Sequence, residues 1–212
     1  VMAIFSASHR PIAKEAFDRA KSRLGAKSVS SKVMPMVVER RVAGMLINSL
    51  LNPASGGALY NKRSFWCDKI NTPMISTKLT LCDEPLLIRG LSSRHFDGEG
   101  IAAKPMELIK NGSLKNIYVD TYYGKKLKVT PTTGSSSNII VKPGGNNLDE
   151  ILSSVGDGIY VTGWLGGNFD AVTGDFSYGI RGFLIKNGHL DMAVSEMNIT
   201  GNIIQLFKNL IA

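Results

Sequence analysis

Two Asn-Gly pairs, each set between runs with the two-residue rhythm of a strand, constrain the fold of this chain more than any other feature. Asn111-Gly112 separates Glu107–Lys110 from Leu114–Asp120, and Asn187-Gly188 separates Gly182–Lys186 from His189–Val194. A two-residue hairpin turn of type I′ needs positive φ at both central positions, and Asn followed by Gly tolerates that best. Its backbone twist also matches the strands it joins. The pattern therefore predicts two hairpins and an architecture dominated by antiparallel strands. The 22 glycines agree with a fold rich in turns.

Further strands are expected at Val33–Val38, Lys78–Asp83, Asn138–Lys142 and Gly158–Trp164. Pro35 limits the first of these to an edge or an entry position, because proline cannot donate to a ladder. The opening Val1–Phe5 reads as an internal strand rather than a signal peptide, with no basic segment before it.

Helices are expected in four places. His9-Arg10-Pro11 starts the first, with an apolar stripe of Ala13, Phe17, Ala20 and Leu24 and a stop at Gly25. Arg40 to Leu51 forms the second, with a wide apolar face and a stop at Asn52-Pro53. Leu148–Val155 follows Asn147 as its cap, and Asp149 and Glu150 complement its positive N-terminus. Gly201–Ile211 is the last. Ala54–Gly57 reads as a loop, and Thr132–Ser137 as a polar loop best suited to mobility. The expected class is α+β: a mainly antiparallel twisted sheet, barrel-like or sandwich-like, with two N-terminal helices and short edge helices.

Composition excludes several classes. Hydrophobic residues make up 43% and charged residues 20%, which argues against disorder. No apolar run approaches the roughly 20 residues that span a bilayer, so no membrane association and a cytoplasmic location are expected. Cys67 and Cys82 are too few for a disulfide framework and read as free thiols, although they could pair. The formal charge of +8 comes from 25 basic against 17 acidic residues. Much of the excess lies in residues 1–50, where Arg10, Lys14, Arg19, Lys21, Arg23, Lys27, Lys32, Arg40 and Arg41 outnumber Glu15, Asp18 and Glu39. Solvated helix faces explain this better than a nucleic-acid surface, because no aromatic residues interleave with the charges.

Catalytic signatures are absent. There is no HExxH or HExxxH, no GxSxG elbow and no phosphate-binding glycine loop. The histidines are His9, His95 and His189. His95 stands beside Asp97 and Glu99 in Ser93–Gly100. Either carboxylate could orient the imidazole, but carboxylates beside glycines more often hold turns through backbone N–H groups. The same choice applies to Asp170 and Asp175. A nucleophile built from Cys67, Cys82 or His95 has no positive support.

The stretch Asp170–Gly179, then Gly182–Gly188, then Glu196–Asn202 resembles the C-terminal signature of the TldD/PmbA family, also called modulators of DNA gyrase. Arg94 with Phe96–Gly100 is similar to that family's mid-domain acidic-glycine turn. Ala58–Phe65 resembles the TldE/PmbA branch. The similarity runs from about Pro35 onward. It implies that residues 1–32 form a linker to a further N-terminal domain, and that 33–212 form the family's C-terminal domain, truncated at its own C-terminus.

The resemblance also implies a metallopeptidase whose active branch, TldD, carries HExxxH on a helix. Two histidines five apart can reach one zinc while the glutamate activates water. On this chain the corresponding positions are Asn48, Ser49 and Pro53, and no histidine lies between residues 10 and 94. No zinc is therefore expected here. Zinc is expected in a TldD-type homologue that pairs with this chain as a heterodimer, a self-dimer being the other arrangement. The implied substrates are small or unfolded peptides, and the implied role is chamber wall and interface. Nucleic acid is not an expected partner; a regulator of DNA gyrase without peptidase activity is the alternative.

Overall fold

The computed structural model describes residues 9–211. The strand expected at Val1–Phe5 lies outside them. In chain order the elements are α1 (His9–Lys21), β1 (Met36–Val38), α2 (Gly44–Leu51), α3 (Gly56–Tyr60), β2 (Leu81–Asp83), β3 (Met106–Lys110), β4 (Ser113–Leu114), α4 (Thr121–Leu127), β5 (Ile139–Val141), α5 (Leu148–Val155), β6 (Gly158–Phe169), β7 (Asp175–Lys186), β8 (His189–Asn202) and α6 (Ile203–Lys208). They form two four-stranded sheets, ordered β1-β6-β7-β8 and β4-β3-β2-β5. Neither closes on itself, so the barrel-like form is corrected to two open sheets. The α+β class stands.

The chain divides into two compact units. The first holds residues 9–42, 147–166 and 178–199. Its sheet is antiparallel except for β1, which runs parallel to β6 with Met36 opposite Ile159 and Val38 opposite Val161. Successive strand residues point to opposite faces. Ile159 and Val161 accordingly join Ile180 and Val194 in one cluster, whereas Tyr160 joins Ile185 and Leu152 in another. Leu152 and Val155 bring α5 to that second face. Burying side chains of this size stabilises by about 1.5–3 kcal/mol each. The start of α5 carries a capping box: Glu150 N donates to Asn147 Oδ1 at 3.0 Å, and Asn147 N donates to Glu150 Oε2 at 2.8 Å.

Helix α1 departs from expectation. Its apolar stripe is in water, with Phe17 63% and Leu24 78% exposed. The face it turns inward is polar. Arg19 makes a two-pronged contact with Glu39, at 2.8 Å and 2.6 Å. Here the ion pair, not the stripe, sets the helix's orientation.

The second unit holds residues 43–146, 167–177 and 200–211. Its buried side chains include Leu50, Trp66, Leu81, Leu108, Ile109, Leu114 and Ile203. The Trp66 indole donates to Leu50 O at 2.9 Å, which satisfies the one polar atom of that ring. Both Asn-Gly turns form as expected, with φ of 46° and 76° at Asn111 and Gly112 and of 51° and 77° at Asn187 and Gly188.

Several boundaries move. The second helix starts at Gly44 rather than Arg40, because Val42 N turns back to Glu39 O. The first strand begins at Met36, leaving Val33 in solvent. Lys78–Thr80 is not strand. Only Ser113 and Leu114 pair after the first Asn-Gly, while the second hairpin extends to Asp175 and Asn202. Residues 54–57, expected as loop, lead into α3, where Ala58 N donates to the Ser55 hydroxyl at 3.3 Å. The last helix is confined to Ile203–Lys208.

Candidate functional site

Helix α2 carries the positions singled out for metal chemistry. It is apolar along most of its length and buries Leu46, Ile47, Leu50 and Leu51. Asn48 falls on the exposed side. Ser49 is 7% exposed, and its hydroxyl donates to Met45 O at 3.1 Å, one turn back. Pro53 lies beyond the last helical residue, is buried, and has no side-chain donor or acceptor. What this arrangement presents to an ion is one amide oxygen. A zinc site needs several imidazole, thiolate or carboxylate ligands around one point. These three residues do not fit zinc.

The acidic-glycine turn is occupied by structural work. Asp97 accepts from Glu99 N at 2.9 Å, Ile101 N at 3.0 Å and Gly134 N at 3.2 Å. Burial pushes its carboxyl up, but these three backbone bonds and nearby Arg94 together bring it below the usual carboxylate range. Glu99 takes Thr121 N at 2.8 Å and the Thr121 hydroxyl at 2.7 Å, just after the cap of α4. Neither carboxylate is bonded to His95, which is exposed. The turn-holding reading is the one the geometry bears out.

The same holds for the later pair. Asp170 Oδ1 accepts from Val172 N at 2.7 Å and Thr173 N at 3.2 Å. Asp175 accepts from Asn202 Nδ2 at 2.9 Å. That bond and the Thr173 hydroxyl hold the Asp175 carboxyl below its ordinary value.

Residues 132–137, expected as the mobile loop, are tied down at several points. Ser137 N donates to both oxygens of Asp83, at 3.1 Å and 2.9 Å, and the Tyr118 hydroxyl donates to the same carboxylate at 2.9 Å. Asp83 is buried, and its charge reinforces the burial that drives the Tyr118 phenol far above its ordinary value. Arg94 reaches the Ser135 hydroxyl at 3.0 Å and the Ser135 carbonyl. This buried carboxylate knot gave no sequence signal, because Tyr118 and Ser137 lie 35 and 54 residues from Asp83.

Cys67 and Cys82 are free and half-buried. Burial, then Glu107 and Glu84, pushes the Cys82 thiol up, away from the thiolate a nucleophile needs. His189 is exposed at the start of β8; His9 opens α1. Among the described residues no three His, Cys, Asp or Glu side chains converge as a metal cage would require. No helix among them is long and apolar enough to cross a membrane.

Comparison with known proteins bears on what this scaffold belongs to. A family model described as the PmbA/TldA metallopeptidase C-terminal domain matches residues 31–212. The metalloprotease PmbA homolog of Haemophilus influenzae is 34% identical over 194 residues, which is 90% of this chain and 43% of that protein. Metalloprotease PmbA of Escherichia coli O157:H7 is 32% identical over 195 residues, 91% of this chain and 43% of that protein. A crystal structure from Bacteroides thetaiotaomicron, described as a modulator of DNA gyrase, superposes with a TM-score of 0.90 at 43% identity, covering 94% of this chain and 46% of its own. TldE from Thermococcus kodakarensis shares the fold, with a TM-score of 0.84 at 22% identity over 94% of this chain and 48% of its own. The chain spans less than half the length of these relatives.

Proposed function

The chain belongs to the PmbA/TldD metallopeptidase family, residues 31–212 matching its C-terminal domain, and from that membership we propose that it serves a two-component peptidase as the non-catalytic subunit. It supplies chamber wall and dimer interface. A TldD-type homologue supplies zinc and the hydrolytic step, and the substrates are small or unfolded peptides.

One observation carries this reading: at the positions that the resemblance matches to the family's metal motif, helix α2 offers Asn48 and Ser49, and Pro53 follows its end. The Ser49 hydroxyl is already engaged by its own helix, so it is not a base for water. The exposed apolar segment Leu86–Leu91 supports the interface role. Ile88 is 89% and Leu91 93% exposed, which a chain expecting a partner can sustain better than a lone one.

The test is metal analysis followed by reconstitution. The purified chain is expected to hold far less than one zinc per molecule after dialysis against zinc and to leave an unstructured peptide intact. Mixing with the HExxxH-bearing homologue is expected to produce cleavage. One tightly held zinc on the isolated chain, or turnover by it alone, overturns the reading.

A second reading, a nucleic-acid-associated regulator, is favoured by the +8 charge and by the gyrase-modulator description of the Bacteroides relative. Its signature would be DNA affinity falling steeply with salt. Absence of binding at low salt removes it.

A further inference from the structure

Three tyrosines of the second unit gather around one lysine. Gly57 of α3 has no side chain to hold the Tyr123 ring off, and a Cβ there would lie 3.0 Å from Cε2 of that ring. Helix α4 therefore packs closely on α3, its first turn fixed by the bond from Tyr123 N to Asp120 Oδ1 at 2.7 Å. The Tyr123 ring stands 6.1 Å from that of Tyr60 and 5.0 Å, edge to face, from that of Tyr122. The Lys126 ammonium completes the group. It lies 5.8 Å from the centre of the Tyr60 ring and 5.7 Å from that of Tyr122. Positions four apart on a helix share a face, which is how Lys126 comes back over Tyr122. The group is at the surface, with Tyr60 43% and Tyr122 59% exposed.

The charge beside these rings has one sign. Lys62 and Arg63 follow Tyr60 directly, and Lys125, Lys126 and Lys128 lie at the end of α4. All of them are exposed, and among the described residues none forms an ion pair. The carboxylates at the start of α4 are already engaged, Asp120 by Tyr123 N and Glu99 by Thr121. Lysines in a last helical turn do answer the negative end of a helix. That accounts for their sign, but not for two large exposed rings set among them. Flat aromatic faces and unpaired ammonium groups on one surface suit a partner that carries both flat rings and negative charge.

We propose that this surface of α3 and α4 binds single-stranded nucleic acid, a base stacking on Tyr122 while Lys126 and Lys125 meet the phosphates beside it. An aromatic face accepts any base, and lysines along the strand neutralise its backbone. A ring needs an unstacked base, so a duplex could use only the lysines. An acidic peptide offers carboxylates to the lysines but no flat face to the rings. The proposal goes beyond the peptidase reading and requires neither zinc nor a second subunit. It gives the nucleic-acid alternative a definite surface.

Fluorescence anisotropy of the full chain at low salt tests this, with a labelled oligothymidylate of about twelve nucleotides. Saturable binding is expected, displaced by far less unlabelled single strand than matching duplex or polyglutamate. Tyr122→Ala is expected to weaken it about fivefold or more, and Tyr122→Phe, which keeps the ring, to bind as the wild type does. Lys126→Gln is expected to reduce the slope of log affinity against log salt by about 0.7. Lys14→Gln removes the same charge at an exposed site of α1, in the other unit, and is expected to leave the affinity unchanged. Should Tyr122→Ala fail to fold by circular dichroism, Tyr60→Ala decides by the same criterion. No saturable binding, competition by duplex or polyglutamate as strong as by single strand, or unchanged binding by Tyr122→Ala overturns the proposal. Weakening by Lys14→Gln with Tyr122→Ala unaffected overturns this site while sustaining the nucleic-acid reading through the basic N-terminal region.

Discussion

Gly112 carries two constraints at once. Its φ of 76° lies where an L side chain is strained, and a Cβ there would come within 2.2 Å of Ile75 O. Neither strain can relax without moving backbone. Gly112→Ala is therefore expected to cost about 2 kcal/mol or more, read as a lowered urea midpoint at unchanged slope. No change in midpoint would mean the turn opens freely. At this scale the sequence was informative wherever chemistry is local. Asn-Gly foretold positive φ, and carboxylates beside glycines foretold backbone bonds at Asp97 and Asp170. It was silent about Asp83, because nothing near that residue in the chain hints at Tyr118 or Ser137.

Among the elements, α1 shows why a stripe is not a docking face by itself. Periodicity located the helix, but Ala13, Phe17, Ala20 and Leu24 found no apolar surface among the described residues, and Arg19 to Glu39 set the contact instead. That contact has a pH signature. The Arg19 hydrogen bond, with burial opposing and Arg19 and Arg41 charges assisting, holds the Glu39 carboxyl below its ordinary value. A depressed folded pKa adds stability that is full above the unfolded value of about 4.3 and is lost as pH falls through the folded value. Wild type is expected to lose thermal stability on acidification through that window, and Glu39→Gln to lose less across it. Identical slopes in a melting series from pH 6 to pH 3 would refute the role given to the pair. The Asn147 signature succeeded fully, since the cap and the acidic first turn all sit within the four residues Asn147 to Glu150. The second helix began four residues late, at Gly44, because the backbone bond from Val42 to Glu39 takes the first turn away.

At the scale of the whole molecule, neither compact unit is a continuous stretch of chain. Each is assembled from three segments, and β6, β7 and β8 each contribute residues to both. A boundary expected near residue 33 reflects where family similarity starts, which is a different property from compactness. The class was legible because hairpins advertise themselves; the division into units was not, because it depends on pairings far apart in sequence. The interface expectation is tested here too. Ile88→Glu with Leu91→Glu changes side chains already in water, so the fold is expected to tolerate it within about 0.5 kcal/mol. Association with the zinc-bearing homologue is expected to weaken by tenfold or more in a pull-down titration. Unchanged association would place the contact elsewhere.

The parallel pairing of β1 with β6 also sets a timetable. Met36 leaves the ribosome roughly 120 residues before Ile159, its partner. At about 5–20 residues per second, this edge waits some six to twenty-four seconds for its neighbour. Until then Met36, Val37 and Val38 are a short sticky segment on a nascent chain, and the first unit cannot be completed until its last segment, which ends at Ile199, has been made. Yield in the cell should thus respond to translation speed and chaperone supply more than the finished protein's stability would suggest.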